Sequence, residues 1–451
     1  MSRSVGVPAV PPRLRGTPLR PLLAVLVSAA LLLVGGAPAA LADPAEEPPV
    51  PEHAYRAEGP AVSGGGSQAQ APLIVPGIHR DSFARGVQVD EESEEETPGT
   101  VKYYRIAVGG GQRVHAAATI SAPPVEGGLP EDPGDLGVAV SFLTADGDAC
   151  DGEWVRDTGE SRTADGPITS TVVSGTMGFD GCAGDELFLK VRRTGTAAAG
   201  TPLPVEIQVA VEPAGLDGAA PAVTEAIEDD GATPVPPADD QPLEPGRSFA
   251  TAVAVEPGSY VLEIDPGEVA LLRLPVAEGQ RLRWRVEESA QPEGAGGLAL
   301  RVYNPAREQV TVGGGSWTMR AQDPVTGGGM RAPVDLGNRS SDLGAVASAW
   351  LPGTHTVVLQ RLQRDADDEP AGEGAVTLVL TLEVEGERAE DAAEEPVLDS
   401  GETTLEHGPL SSLGIDAPWS RLAMVAGAGA LALLGLLTGI AGIVVLRARR
   451  R

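Results

Sequence analysis

The sequence predicts an all-β protein: two tandem antiparallel β-sandwich domains, followed by one C-terminal transmembrane helix. Three observations predict it. A long internal repeat divides the middle of the 451-residue chain into two similar halves. Short β-branched runs that alternate at period two, bounded by Gly, Pro and Asp, fill both halves. Near the C-terminus, residues 422–446 carry no charge and are rich in Leu, Ala, Gly and Val. At ~1.5 Å per residue that run is long enough to cross a ~30 Å hydrocarbon core.

Taken in order, the chain begins with Arg3, Arg13, Arg15 and Arg20, then an apolar run over 22–34, then Ala40-Leu41-Ala42. A basic region, a short apolar region and an A-x-A end predict a secretory signal peptide over 1–42. Residues 43–72, rich in Pro, Glu, Gly and Ser, read as a disordered linker. The first sandwich spans 73–213 and the second 242–386, with an acidic Ala/Pro linker over 214–241 between them. Flexible linkage of this kind leads us to expect two sandwiches that unfold nearly independently. An acidic stalk over 387–421 precedes the transmembrane helix. The tail 447–451 carries Arg447, Arg449, Arg450 and Arg451, and the positive-inside rule keeps it cytoplasmic. The expected location is therefore the cell membrane, as a single-pass type I protein with its ectodomain outside the cytoplasm.

The repeat is explicit. Pro98-Gly99-Thr100-Val101, Arg105, Val108 and Gly111-Gln112-Arg113 recur without a gap as Pro266-Gly267-Glu268-Val269, Arg273, Val276 and Gly279-Gln280-Arg281. So long a period marks a duplicated domain and not a solenoid. Ser82-Phe83-Ala84 and Ser248-Phe249-Ala250 are read as the upstream counterparts of one another. Val205, Ile207, Val209 and Val211 alternate with Glu206, Gln208 and Ala210, the pattern of a strand with one face in the core and one in water.

Net charge is −31, and both basic segments lie at the ends, so the exported part is more acidic still. That excludes nucleic acid as a partner, because phosphate binding needs a basic face. The two cysteines, Cys150 and Cys182, both lie in the exported region and are expected to form a disulfide. Zinc needs about four ligands, and no histidine lies between them.

The Pro-Gly-x-Val-x-x-x-Arg-x-x-Val-x-x-Gly-Gln-Arg succession, Tyr103-Tyr104-Arg105, the Leu298–Pro305 strand and Gly353-Thr354-His355 together resemble the bacterial pre-peptidase C-terminal domain family. That resemblance implies jelly-roll-like β-sandwiches of a kind usually appended to secreted peptidases, serving in binding or solubility, with calcium bound by some related domains. This chain departs from the pattern in having two copies, a membrane tether and no peptidase domain. The scarcity of lysine (Lys102 and Lys190) beside abundant arginine fits the coding bias of a high-G+C bacterium.

Catalytic parts are sparse. The histidines are His53, His79, His115, His355 and His407, and His115 and His355 read as packed or surface strand residues. No His-Glu-x-x-His or Gly-x-Ser-x-Gly occurs, and no Gly-rich run is followed by Lys-Ser/Thr. Asp146, Asp148 and Asp151 form an oxygen-rich loop beside Cys150 that suits Ca²⁺ by ligand chemistry, although it lacks the glycine of an EF-hand. The acidic runs 90–96 and 365–369 are further carboxylate clusters. The expected function is a non-enzymatic envelope module that binds another exported envelope protein or a wall polymer. A hydrolase with an unrecognised site and a structural spacer are the alternatives.

Overall fold

Alternating Val, Ile and Leu residues give each strand one apolar face, and the chain buries those faces by stacking sheets in pairs. The computed structural model describes residues 54–401 apart from 86–98, 126–128, 130–133, 153–159, 162–165, 180, 217–219, 291–296, 313–316, 320–324, 364–371, 391 and 393–395. The expected signal peptide, transmembrane helix and basic tail lie outside the described residues, as do the acidic runs 90–96 and 365–369. Among the described residues no helix is long and apolar enough to cross a membrane.

The described residues are nearly all β, in four sheets. The first copy has β1 (Leu73–Ile74), β2 (Gly77–Phe83), β3 (Val101–Ala107), β4 (Arg113–Ile120), β5 (Leu136–Leu143), β6 (Glu160–Ser161), β7 (Ile168–Val173), β8 (Glu186–Thr194) and β9 (Leu203–Glu212). They form one sheet in the order β1-β3-β8-β5-β6 and another in the order β2-β9-β4-β7. Phe83, Ile120, Val205 and Ile207 of the second sheet share one core with Tyr104, Ile106, Phe142 and Leu187 of the first.

The second copy has β10 (Val253–Ala254), β11 (Gly258–Ile264), β12 (Val269–Val276), β13 (Arg281–Ala290), β14 (Leu298–Tyr303), β15 (Gln309–Val310), β16 (Trp317–Met319), β17 (Val325–Gly329), β18 (Gly353–Arg361) and β19 (Val376–Glu385). The strand orders repeat: β10-β12-β18-β14-β15 and β11-β19-β13-β17, with β16 added beside β14. Trp284, Leu300, Val357 and Leu380 centre the second core. The arrangement is consistent with one β-sandwich per copy.

Register makes the duplication residue-specific. Arg105 faces Phe188 and Ala107 faces Glu186 in the first copy, as Arg273 faces Thr356 and Pro275 faces Thr354 in the second. The same correspondence relates Arg193 to Arg361, both fully buried. Arg193 donates to the carbonyls of Ala197, Ala198 and Thr201, closing the turn from β8 to β9. Arg361 does likewise, donating to Gly372 and Gly374 ahead of β19 and to Ile264 at the end of β11. A buried guanidinium is tolerated because carbonyls surround it.

Three expectations need correction. Ser82-Phe83-Ala84 and Ser248-Phe249-Ala250 are not equivalent: Phe83 ends β2 inside the first core, whereas Phe249 precedes β10 and packs edge-on against Tyr303 with centroids 5.2 Å apart. The expected linkers are not free segments where they are described. Tyr55 and Ala57 are buried with Phe249, Leu271 and Tyr303, and Asp229 sits between Arg281 (2.6 Å) and Arg283 (3.0 Å). From the expected stalk, Leu398 is buried and Asp399 bridges to Val211. Composition misled because the acidic residues here find arginines and backbone partners and the scattered apolar ones find pockets. Finally, the polar face of β9 is dry: Glu206, Gln208, Ala210 and Glu212 are all buried. The two copies are therefore packed together, against the expectation of independent beads.

Candidate functional site at the junction of the two copies

β9 and β4 are central strands, so their outward side chains form the middle of an exposed sheet face unless something covers it. The second copy covers it. Glu206 Oε1 accepts from Arg307 Nη2 at 2.6 Å, with both side chains almost fully buried (0% and 3% exposed). Its other oxygen accepts the Glu58 backbone N–H at 2.9 Å. Gln208 donates to the Pro305 carbonyl at 2.8 Å. Arg307 adopts a left-handed backbone (φ 60°), which costs a non-glycine residue energy, and its guanidinium stacks 4.4 Å from the Phe249 ring.

Beside this pair lies a second cluster built from both copies. His115 Nε2 meets Glu212 Oε2 at 2.8 Å, and its Nδ1 lies 3.5 Å from Glu308 Oε1. The imidazole stacks on Trp350 at 5.6 Å. Arg339 covers the same indole and donates to Glu212 at 2.7 Å, while Arg113 reaches Glu212 at 3.2 Å. Trp350 Nε1 and Asn304 Nδ2 donate to Glu308 at 2.7 and 2.9 Å. Desolvation pulls the His115 imidazole down, but Glu212 and Glu308 outweigh it and raise its pKa above the usual 6.5. Desolvation pushes Glu212 and Glu308 up, and their hydrogen bonds and charged neighbours more than reverse it, holding both well below the usual carboxylate range.

Alongside the junction runs a cleft of about 310 Å³. Ile78 and Gln208 line it from the first copy, Arg273, Arg307 and Thr354 from the second, and Val397 from the C-terminal segment. Sites for small molecules span roughly 300–1,000 Å³, so this cleft is at the small end.

The residues singled out from the sequence lie elsewhere. Cys150 and Cys182 form the expected disulfide, with Cα atoms 5.2 Å apart, and both are buried in the first core. Asp146 and Asp148 are exposed, and Asp151 Oδ1 accepts from the Phe142 backbone N–H at 2.5 Å. Among the described residues no three His, Cys, Asp or Glu side chains are placed to hold a metal ion, so this aspartate trio is not gathered as a ligand set. His355 is buried in β18, its pKa pushed down to about 4 by burial. Glu206, Glu212, Arg307, Glu308, Arg339 and Trp350 carry no motif, and Arg273 belongs to the repeat without standing out from Arg105. The available signal was His115-Ala116-Ala117-Ala118-Thr119, a strand with small residues on both faces, which implies that both faces are covered.

Comparison with known proteins adds little. No family model matches the chain, and no curated protein matches it. Solved structures align only loosely. The extracellular domain of ANXUR2 from Arabidopsis thaliana shares 9% identity over 67% of this chain and 88% of its own, with a TM-score of 0.17. The CBM22-1-CBM22-2 tandem domain of Xyn10C from Paenibacillus barcinonensis shares 10% over 75% and 95%, at 0.18. The secreted serine protease VesC from Vibrio cholerae shares 8% over 64% and 51%, at 0.18. Such scores carry no argument about this chain.

Proposed function

We propose that this chain is a membrane-anchored protein of the cell envelope, exported by residues 1–42 and held by a helix over 422–446. On this reading its tandem jelly-roll-like sandwiches, akin to pre-peptidase C-terminal domains, form a non-enzymatic binding module for another exported envelope protein or a wall polymer. The observation that carries the reading is the junction. Its titratable groups are hydrogen-bonded to one another across the two copies, as in the pairing of Arg307 with Glu206 and of Arg339 with Glu212. Groups so engaged serve to hold geometry, whereas a general acid or base must meet the substrate's proton. Two copies fixed in one relation present a preformed surface, which lowers the ordering cost of binding.

The test is in-cell photo-crosslinking of the full-length chain, with a photoreactive residue at Val397 in the cleft or at exposed Phe179 or Val235. Cells are then fractionated. A discrete adduct in the membrane fraction is expected from at least one position. No adduct at any position, or recovery of the chain in the soluble cytoplasmic fraction, overturns the reading.

A further inference from the structure

The duplication allows each side chain to be compared with its counterpart, and one pair differs in a telling way. In the first copy Arg105, on the outward face of β3, donates to Glu186 on β8 at 2.8 Å. The register places Arg273 where Arg105 stands and Thr354 where Glu186 stands. The guanidinium is therefore kept while its carboxylate is gone. Arg273 makes no ion pair or side-chain hydrogen bond among the described residues, and both it and Thr354 line the cleft. Arg307 also lines the cleft, and its buried Nη1 has no hydrogen-bond partner among the described residues. Phe249, Leu351 and Val397 supply apolar walls around these donors, and Glu278 and Arg388 belong to the polar part of the lining.

We propose that the cleft binds a carboxylate-bearing ligand, whose carboxylate takes against Arg273 the place that the Glu186 side chain holds against Arg105 in the first copy. The proposal rests on the binding-module reading and names the chemistry that the module recognises. A planar guanidinium matches a carboxylate with two parallel hydrogen bonds, a geometry lysine cannot supply. Thr354 gives the ligand room that Glu186 fills in the first copy, and its hydroxyl is a further donor. The apolar walls suit a ligand body of a few carbon atoms. The strong negative charge of the chain as a whole opposes anions at long range, so the specificity is short-range and persists at physiological salt.

Two sources of carboxylate fit: the C-terminus of a short peptide and the acid group of a uronic sugar. Purified full-length protein in detergent is titrated by calorimetry with N-acetyl-Ala-Ala and with its amide, and with galacturonate and with galactose, all at millimolar concentration. One carboxylate is expected to bind while its neutral counterpart does not, and the arm that binds identifies the source. Arg273→Gln is expected to weaken it by about 10- to 100-fold, the scale of a lost charged hydrogen bond. Thr354→Glu restores the first copy's pair within the chain and is expected to block binding without unfolding the protein. Arg105→Gln, in the first copy, leaves binding unchanged. The proposal is overturned if neither carboxylate binds better than its neutral partner, or if Arg273→Gln and Thr354→Glu both bind as the parent does. Should an envelope adduct persist in the crosslinking experiment while both carboxylates fail, the cleft assignment falls and the module reading stands.

Discussion

The same sheet face has two fates in the two copies. Arg113 pairs with Glu212 across β4 and β9 at 3.2 Å, and its counterpart Arg281 pairs with Glu385 across β13 and β19 at 2.7 Å. In the first copy that pair is sealed beneath the second copy, and Glu212 is shared with His115 and Arg339. In the second copy Glu385 stays half-exposed, and residues around Asp229 lie over the arginines instead. Duplication thus produced two faces with one ion-pair plan. One is an internal contact that carries a buried histidine and glutamate, and the other carries arginines beneath a strap of acidic chain. Burial, more than residue type, decides what each charge contributes.

The largest effect expected from breaking this contrast is at Glu206. Glu206→Ala leaves Arg307 buried and unpaired, and should destabilise the full chain by about 3–5 kcal/mol in denaturant titration. Glu206→Leu combined with Arg307→Met should recover most of that loss, since the desolvation cost of both charges goes with them. A single coupled unfolding transition is the companion expectation, and two well-separated transitions would show that the junction does not couple the copies. Next comes the disulfide, which only the first copy has. Cys150 and Cys182 are separated by 32 residues, and loop closure of that length contributes about 3–4 kcal/mol. Reduction should lower Tm, with protease cleavage appearing first in the first copy.

A third effect is on pH dependence. The raised pKa of His115 means that its contribution is complete below 6.5 and fades as pH rises through the raised value. Glu212 and Glu308 are depressed, so their contributions are complete above 4.5 and fade as pH falls toward about 2. Stability of the junction should therefore peak between these limits. His115→Gln should flatten the alkaline side and also lessen the acid loss, because His115 is the chief group holding both carboxyls down, and an unchanged alkaline slope would count against the cluster. The smallest effect is at Glu186. Its pair with Arg105 is more than a third exposed on both sides, so Glu186→Gln should cost under about 1 kcal/mol in Tm-derived stability.

Much of the strand content was legible because alternation of Val, Ile and Leu dictates a buried face whatever the partner. The gapless match from Pro98 to Arg113 with Pro266 to Arg281 located the duplication, since turn glycines and a fixed register resist insertions. The two cysteines paired with each other as expected. What could not be read was the identity of the second face. Glu206, Gln208 and Glu212 alternate with valines in the same way whether they meet water or Arg307 and Arg339. Likewise Arg105 and Arg273 look identical in the sequence, and only the register shows one paired and the other not. The linkers misled for a related reason, because composition counts charges without knowing that Asp229 has two arginines waiting for it.

The bridge between Val211 and Asp399 has a mechanical consequence. Its two hydrogen bonds, 2.8 and 2.9 Å long, fasten the chain leaving the second copy to the last strand of the first. Tension applied beyond Gly401 is thus delivered to β9, the strand that carries Glu206 and Glu212, before it reaches β19. β9 is held along its length by β2 and β4, so a load on it is shared with the neighbouring strands of that sheet. A load entering at that point would meet the two packed copies through the junction.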